Sequence, residues 1–212
     1  MTWIKICGTT HLEDALMSVD AGADALGFVF YEKSPRNVAV ELVREIVREL
    51  PEAVEKVGVF VNKSWERVEE IADTAGLTAI QLHGDEHRDS SWRATERKVY
   101  MAIPVGDLTE DWLISLPRSL GALVVDSGTP QQPGGTGKSF DWKATKPMFM
   151  AVGARIPVVV AGGLTPLNVV EAIHILEPWG VDVVSGVEST PGTKDPEKVR
   201  AFVAAVRGTE QR

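Results

Sequence analysis

Short apolar segments of strand length alternate with amphipathic helical segments along the whole chain, and this alternation constrains the fold more than any other feature. The apolar runs, rich in Val and Ile, occupy residues 3–7, 25–30, 57–61, 79–83, 99–105, 122–126, 157–161 and 181–185. A strand with one face in water alternates apolar and polar residues, whereas these runs are almost uniformly apolar. The pattern therefore predicts parallel strands that are covered on both faces.

Helices are predicted between the strands, from apolar residues that recur at i, i+3, i+4 and i+7. The pattern is regular in residues 12–19, 43–50, 68–75, 169–176 and 199–206, and a less regular one predicts helices in residues 88–97 and 143–154. Each apolar stripe must pack against another layer of the protein. Capping residues predict three helix starts, which are Thr10 with Glu13, Thr165 before Pro166, and Asp195 before Pro196.

Strand–helix–strand units require parallel strands with right-handed crossovers, and eight of them close most simply into a barrel. An open doubly wound sheet is the alternative, but it usually has about five to seven strands and a glycine fingerprint after the first strand. Here the first strand is followed by Cys7-Gly8-Thr9-Thr10, which is not such a fingerprint. We predict an α/β fold, a (β/α)8 TIM barrel, that forms a single domain over residues 1–212 because no Pro- or Ser-rich linker interrupts the series.

Composition excludes several classes of partner. The formal net charge of −8 argues against a general nucleic-acid or anionic-membrane surface, although a locally positive pocket can still take an anionic substrate. A single cysteine suits a reducing cytoplasm, and the N-terminus lacks the pattern of a signal peptide. No apolar run approaches the roughly 20 residues of a membrane span. We expect a soluble, cytoplasmic protein that is a monomer or a homodimer.

In a (β/α)8 barrel the loops at the carboxyl ends of the strands form the active site. The residues that this rule selects are Cys7, Arg36, Asn62, His83, Asp126, Gly162, Gly163, Ser185 and Gly186. Among them we predict His83, which ends the fourth strand, to belong to the substrate site.

Cys7 ends the first strand and shares one face of it with Lys5, because side chains alternate along a strand. We predict that both point into the barrel, that Lys5 lies at the substrate site, and that its charge favours the thiolate of Cys7. A lone cysteine is more often a small buried hydrophobic residue. The position at a strand end, beside a glycine, favours a catalytic role here.

Asp126 ends the sixth strand, after an apolar run in which a carboxylate is costly to bury. Capping a helix or bracing a loop is the alternative role. In an eight-stranded ring, strands one and six are three steps apart. Cys7 and Asp126 therefore face each other across part of the mouth of the barrel, which is the opening at the carboxyl ends of the strands. An acid and a base separated by a small substrate form a plausible pair for proton transfer.

Two glycine-containing loops predict a phosphate site. Gly162-Gly163 follows the seventh strand and Ser185-Gly186 follows the eighth, the two positions that commonly hold phosphate in this fold. Glycines let backbone N–H groups approach an anion closely. Arg36, in the loop after the second strand, can grip a carboxylate or a phosphate with two parallel hydrogen bonds, with a solvated surface arginine as the alternative.

Three further patterns predict no additional site. Gly137-Lys138-Ser139 resembles the end of a nucleotide-binding loop, but Gln132 occupies the position of the required first glycine. The glycines of residues 134–137 are better interpreted as a mobile flap over the mouth. His83 and His87 do not share a helix face, so we expect no metal site.

The chain resembles the phosphoribosylanthranilate isomerase family of tryptophan biosynthesis. The matching segments are Lys5-Ile6-Cys7-Gly8, residues 27–31 running to Ser34-Pro35-Arg36, residues 57–62, residues 81–86, Asp126-Ser127, residues 134–137 with 140–142, residues 161–164, residues 185–188, Pro191-Gly192 and Lys194-Asp195. They occur in the family's order and span nearly the whole chain, which makes the joint match specific.

The resemblance implies an Amadori rearrangement without cofactor or metal. The aspartate matching Asp126 would protonate the furanose ring oxygen of N-(5-phosphoribosyl)anthranilate and open the ring to a Schiff base. The cysteine matching Cys7 would remove the proton from C2′, and the enolamine would tautomerise to the ribulose product. The resemblance also implies that Arg36 binds the anthranilate carboxylate, while the glycine loops would hold the phosphate.

Val184 departs from the family pattern, which commonly has serine before the Ser185-Gly186 pair. If that hydroxyl contributes to phosphate binding, its loss lowers affinity modestly. Two alternatives to the implied enzyme stay open from the sequence. One is another phosphosugar-converting barrel, and the other is a catalytically inactive barrel that binds a phosphorylated ligand. The intact Cys7 and Asp126 argue against the second.

Overall fold

Eight parallel strands form a closed barrel in the computed structural model, which describes residues 1–85, 91–109, 119–128 and 139–211. The strands are β1 (Trp3–Cys7), β2 (Ala25–Phe30), β3 (Glu55–Phe60), β4 (Ala79–Leu82), β5 (Lys98–Pro104), β6 (Ala122–Asp126), β7 (Val158–Val160) and β8 (Gly180–Val183). Each strand pairs with the next, and β8 closes the ring on β1 with Lys5 opposite Asp182. The predicted (β/α)8 barrel is confirmed.

Helices cover the outside of the barrel. Those in the described residues are α1 (Leu12–Asp20), α2 (Val40–Arg48), α3 (Trp65–Ala75), α4 (Trp142–Gly153), α5 (Val169–Leu176) and α6 (Pro196–Gly208). None of the helices in these ranges is long and apolar enough to span a membrane. After β8 comes a small antiparallel hairpin of β9 (Glu188–Thr190) and β10 (Thr193–Lys194), which is separate from the barrel.

The apolar side chains form two clusters, as the alternation along the strands requires. Ile4 and Ile6 belong to the larger cluster, which also contains buried residues of the helices such as Phe202 of α6. Small residues such as Ala25 and Ala122 form the second cluster together with Tyr100. Fully burying a side chain such as that of Phe202 contributes about 1.5–3 kcal/mol. The packing fixes the position of each strand end.

Strand bounds agree closely with the apolar runs, and the differences have local causes. β1, β2 and β6 have the predicted bounds, whereas β8 ends at Val183 instead of residue 185. Val184 has ψ −89°, which turns the chain into a short 3-10 helix, Ser185–Val187. Ser185, which was predicted to end the eighth strand, therefore lies in a turn, and Gly186 lies after the strand as predicted.

The helix predictions differ in outcome. The helix predicted over 143–154 is α4, although Pro147 lies inside it. In contrast, only a 3-10 turn, Ser91–Ala94, is present in the described part of the predicted helix 88–97, and residues 86–90 lie outside the described ranges.

Only one of the three predicted caps is confirmed. Asp195 caps α6 by accepting hydrogen bonds from the N–H groups of Glu197 and Lys198. The predicted cap at Thr10 is wrong, since α1 has His11 as its N-cap. The predicted start at Thr165 is also wrong, since α5 begins only at Val169.

Candidate active site

The two predicted proton-transfer residues lie at one end of the barrel, where parallel strands end and their loops begin. Cys7 is the last residue of β1 and Asp126 is the last residue of β6. Both side chains are buried, because only 4% of Cys7 and 7% of Asp126 is exposed. Since all eight strands are parallel, the two residues lie at the same mouth, three strands apart around the ring.

Lys5 joins three strands inside the barrel. Its ammonium donates to Oδ2 of Asp182 on β8 at 2.9 Å and to Oε1 of Gln81 on β4 at 2.8 Å. All three side chains are buried. A buried ammonium requires such a partner, because its charge has lost the solvation of water. Asp182 therefore pairs with the positive charge of Lys5, the charge that the sequence predicts to act on Cys7.

The environment of Cys7 favours the thiol. Its Sγ lies close to the Lys5 side chain, since a Cβ on Gly27 would stand 2.5 Å from Sγ and 3.0 Å from Cε of Lys5. Burial raises the pKa of the thiol; Lys5 lowers this pKa, Asp182 raises it, and the net direction is upward. Lys5 acts in the expected direction, toward the thiolate, but burial outweighs the paired ammonium and the net pKa of the thiol is raised.

Asp126 is suited to hold a proton. Burial raises the pKa of its carboxyl group, although His83 and a 2.6 Å hydrogen bond from the N–H of Gly128 to Oδ1 act in the opposite direction. His83, the residue after β4, has its pKa lowered by burial, which favours the neutral imidazole. A buried carboxyl with a raised pKa can act as a general acid near neutral pH.

The two predicted phosphate loops contact each other. Gly162-Gly163 follows β7, and Gly186 follows β8 with its Cα so close to Leu164 that a Cβ would overlap the carbonyl oxygen of Leu164. Asn168 braces the first loop, because its Nδ2 donates to the carbonyl of Gly163 at 2.9 Å. The two contacting loops lie at the same end of the barrel as Cys7 and Asp126.

Arg36, predicted to bind an anion, forms a bidentate ion pair with Glu188. Its Nε donates to Oε1 at 2.9 Å and its Nη2 donates to Oε2 at 2.6 Å. Lys194 also contacts Oε1 of Glu188, at 3.1 Å. Burial would raise the pKa of Glu188, but the hydrogen bond from Arg36 and the charge of Lys194 hold it below its usual value. Glu188 is thus ionised between two cations.

Comparison with known proteins decides the family. A family model described as N-(5'phosphoribosyl)anthranilate (PRA) isomerase matches residues 4–205. A relative named N-(5'-phosphoribosyl)anthranilate isomerase, from Geotalea uraniireducens (strain Rf4), is 48% identical over 210 residues, which cover 98% of this chain and 100% of the relative. The chain belongs to the phosphoribosylanthranilate isomerase family.

Solved structures of phosphoribosylanthranilate isomerases have the same fold. The protein from Thermotoga maritima superposes with a TM-score of 0.88 at 41% identity, covering 98% of this chain and 100% of that one. Another was solved in complex with reduced 1-(o-carboxyphenylamino)-1-deoxyribulose 5-phosphate, and it superposes with a TM-score of 0.83 at 39% identity and the same coverage. The barrel architecture is therefore that of the family.

Four buried polar residues contact predicted site residues in the structure but were not selected from the sequence. Gln81 and Asp182 hold Lys5, while Glu188 and Lys194 form the network around Arg36. A signal was available for the first two, since each is a polar residue in or beside an otherwise apolar strand. Glu188 and Lys194 belong to segments that resemble the family, but the sequence alone assigns them no contact.

Two predictions fall on parts of the chain that the structure does not describe. The flap predicted at residues 134–137 lies within 129–138, which is outside the described ranges. His87, weighed and set aside as a metal ligand, lies within 86–90, which is also outside them.

Proposed function

We propose that this chain catalyses the reaction for which its family is named, the isomerisation of N-(5'-phosphoribosyl)anthranilate by an Amadori rearrangement. The observation that carries the proposal is a buried thiol and a buried carboxyl at the same mouth, beside two contacting loops of the kind that hold phosphate in this fold. The product is 1-(2-carboxyphenylamino)-1-deoxyribulose 5-phosphate. The small phosphorylated substrate is the partner, and the assembly is a monomer or a homodimer.

The first step uses Asp126 as the general acid. Its proton goes to the furanose ring oxygen, the bond from that oxygen to C1′ breaks, and the nitrogen lone pair forms the Schiff base. A carboxyl group whose pKa is raised by burial is protonated more often at neutral pH than an exposed one. Burial lowers the pKa of the neighbouring His83, which makes its imidazole a weaker competitor for this proton, and we assign His83 to the wall of the substrate site.

The second step uses Cys7 as the general base. Its thiolate takes the proton from C2′, and the electron pair of that bond forms the C1′=C2′ double bond of the enolamine. Ketonisation then adds a proton at C1′ and releases one from the C2′ hydroxyl, so the substrate's composition is unchanged. Lys5, two residues before Cys7 on β1, supports this step because its ammonium lowers the pKa of the Cys7 thiol, which burial has raised.

Substrate binding is assigned to the loops around this pair. Backbone groups of Gly162, Gly163, Ser185 and Gly186 would hold the phosphate, and Arg36 would hold the anthranilate carboxylate. Phosphate binding through backbone explains how the chain can have Val184 in place of a small polar residue. A carboxylate and an arginine form a pair of parallel hydrogen bonds, which also fixes the orientation of the aromatic ring.

Turnover of the substrate tests the proposal directly. We expect the purified protein to consume phosphoribosylanthranilate in an assay that follows its fluorescence, with saturation at micromolar to millimolar substrate, roughly the usual range for enzymes. Calorimetric binding of the reduced product analogue serves as the comparison. Binding of the analogue without any turnover would favour the inactive ligand-binding barrel and would contradict the proposal.

The pH dependence of kcat/KM follows from the two raised pKa values. The reactive form has Asp126 protonated and Cys7 ionised, so between the two pKa values the gain in thiolate and the loss of protonated carboxyl cancel. We expect a plateau across neutral pH, an acid limb at a pKa above the usual carboxyl value, and an alkaline limb at a pKa above the usual thiol value. An alkaline limb below the usual thiol pKa would contradict the assignment.

A further inference from the structure

The ion pair of Arg36 and Glu188 leaves one particular side of the guanidinium free. Glu188 accepts from Nε and Nη2 at 2.9 and 2.6 Å, which occupies the edge formed by these two nitrogens. A guanidinium has five N–H donors in a planar fork. The second edge, with one N–H of Nη1 and the remaining N–H of Nη2, makes no hydrogen bond within the described part of the chain. This second edge has the spacing that a carboxylate requires.

Glu188 is itself fixed to the strand that bears the proposed base. Its Oε1 accepts from Nζ of Lys194 at 3.1 Å and from the backbone N–H of Gly192 at 3.2 Å. The same Nζ donates to the carbonyl oxygen of Cys7 at 2.5 Å. The Glu188 and Lys194 side chains are 4% and 0% exposed. The β9–β10 hairpin therefore connects Arg36 rigidly to the end of β1.

The position of Arg36 is confined from the other side as well. Its Cδ lies 2.6 Å from the point that a Cβ of Gly8 would occupy, so the side chain lies directly over the backbone after β1. Arg36, Glu188 and Lys194 form an ion-paired cluster of two basic groups and one acidic group, whose formal net charge is positive. A network with a positive formal charge and one free guanidinium edge at the mouth is suited to a bound anion.

We infer that Glu188 is a positioning residue that sets selectivity for the aryl carboxylate, by holding Arg36 so that its second guanidinium edge grips that group. The inference rests on the proposed function, which supplies the anthranilate moiety. Stability alone explains the ion pair poorly, because an apolar pair of similar volume is often as stable as a buried ion pair. Arg36 without Glu188 would keep its charge but lose its fixed orientation.

The experiment measures affinity for two ligands in wild type and in Glu188→Gln. One ligand is the reduced product analogue with its carboxylate, and the other is the same molecule with phenyl in place of carboxyphenyl. We expect Glu188→Gln to bind the carboxylated ligand about tenfold more weakly and the phenyl ligand almost unchanged, since the lost interaction is a charge-assisted hydrogen bond. In turnover, KM should rise by a similar factor while kcat changes little.

Two controls make the result specific. Glu55→Gln is the matched substitution, because Glu55 also accepts from two side chains, Lys98 and Tyr100, at the start of β3; it should leave both affinities unchanged. If Glu188→Gln does not fold, Glu188→Asp keeps the charge beside Lys194 while shortening its reach to Arg36, and should show the same selective loss.

The outcomes separate the inference from the proposed function. Equal weakening of both ligands in the Glu188 variant, or no weakening of either, would overturn the positioning role. Failure of wild type to bind either ligand would overturn the proposed function and the inference with it. A selective loss for the carboxylated ligand supports both.

Discussion

Replacing Asp126 with asparagine is expected to lower kcat by about 10²-fold or more, the usual scale for loss of a general acid. The amide cannot protonate the furanose ring oxygen, so ring opening loses its proton donor. The fold should be retained, because the amide oxygen of asparagine can still accept the hydrogen bond that the N–H of Gly128 donates to Oδ1. Burial raises the pKa of Asp126 and so favours its uncharged form. Replacing it with a neutral amide therefore leaves no buried charge without a partner.

The measurement is steady-state turnover across pH, with thermal unfolding to check the fold. In Asp126→Asn the residual kcat/KM should rise with pH through the neutral range, because only ionisation of Cys7 then remains. Asp24→Asn is the matched control: Asp24 accepts from the N–H of Ile4 and from Arg207 at the opposite end of the barrel, and its replacement should leave kcat unchanged. An Asp126→Asn variant with wild-type kcat would refute the assigned acid.

Cys7→Ser is expected to lower kcat by about 10²-fold or more for a different reason. A hydroxyl is a far weaker acid than a thiol, so serine provides almost no anion to take the C2′ proton at neutral pH. The residue is small and buried, and serine fits the space that the thiol leaves beside Gly27 and Lys5. The loss should therefore appear in kcat, with little change in affinity for the product analogue or in thermal stability.

The single cysteine makes this prediction easy to check. Because Cys7 is the only thiol in the chain, the difference in ultraviolet absorbance between wild type and Cys7→Ala during a pH titration removes the tyrosine signal and reports the Cys7 thiolate. The titration should give a pKa above the usual thiol value, in the direction that burial dictates. Cys7→Ala should match Cys7→Ser in turnover, and near-normal turnover of either variant would show that another group is the base.

The barrel was predictable because its determinants are local. Apolar runs and helical stripes locate the strands and the helices, and the strand-end rule then places Cys7 and Asp126 at one mouth. Two predicted helix starts were wrong because hydrogen bonds outside the helix, one to a residue distant in sequence and one within a local turn, determine the structure at Thr10 and Thr165. The hydroxyl of Thr10 donates to the carbonyl of Gly192 and does not cap α1, and Thr165 precedes a turn that Asn168 stabilises.

The electrostatics of the site were not predictable, because they depend on pairings between distant strands. Lys5 shares a face with Cys7, which alternation gives, but its ammonium binds Asp182 only because β8 pairs with β1 in that register. In the same way, Arg36 meets Glu188 across 152 positions of sequence. The net rise in the pKa of Cys7 was not predictable for this reason, since the sequence gives no measure of burial or of the partner of Lys5.

The central claim, that Cys7 removes the C2′ proton, is tested most directly by turnover of substrate deuterated at C2′. Wild type and Cys7→Ser are compared with protonated and deuterated substrate under the same conditions. If Cys7 is the base, turnover by Cys7→Ser is about 10²-fold slower and shows a larger deuterium isotope effect than wild type, because proton removal has become rate-limiting. Turnover by Cys7→Ser at the wild-type rate, with the same isotope effect, would contradict the claim.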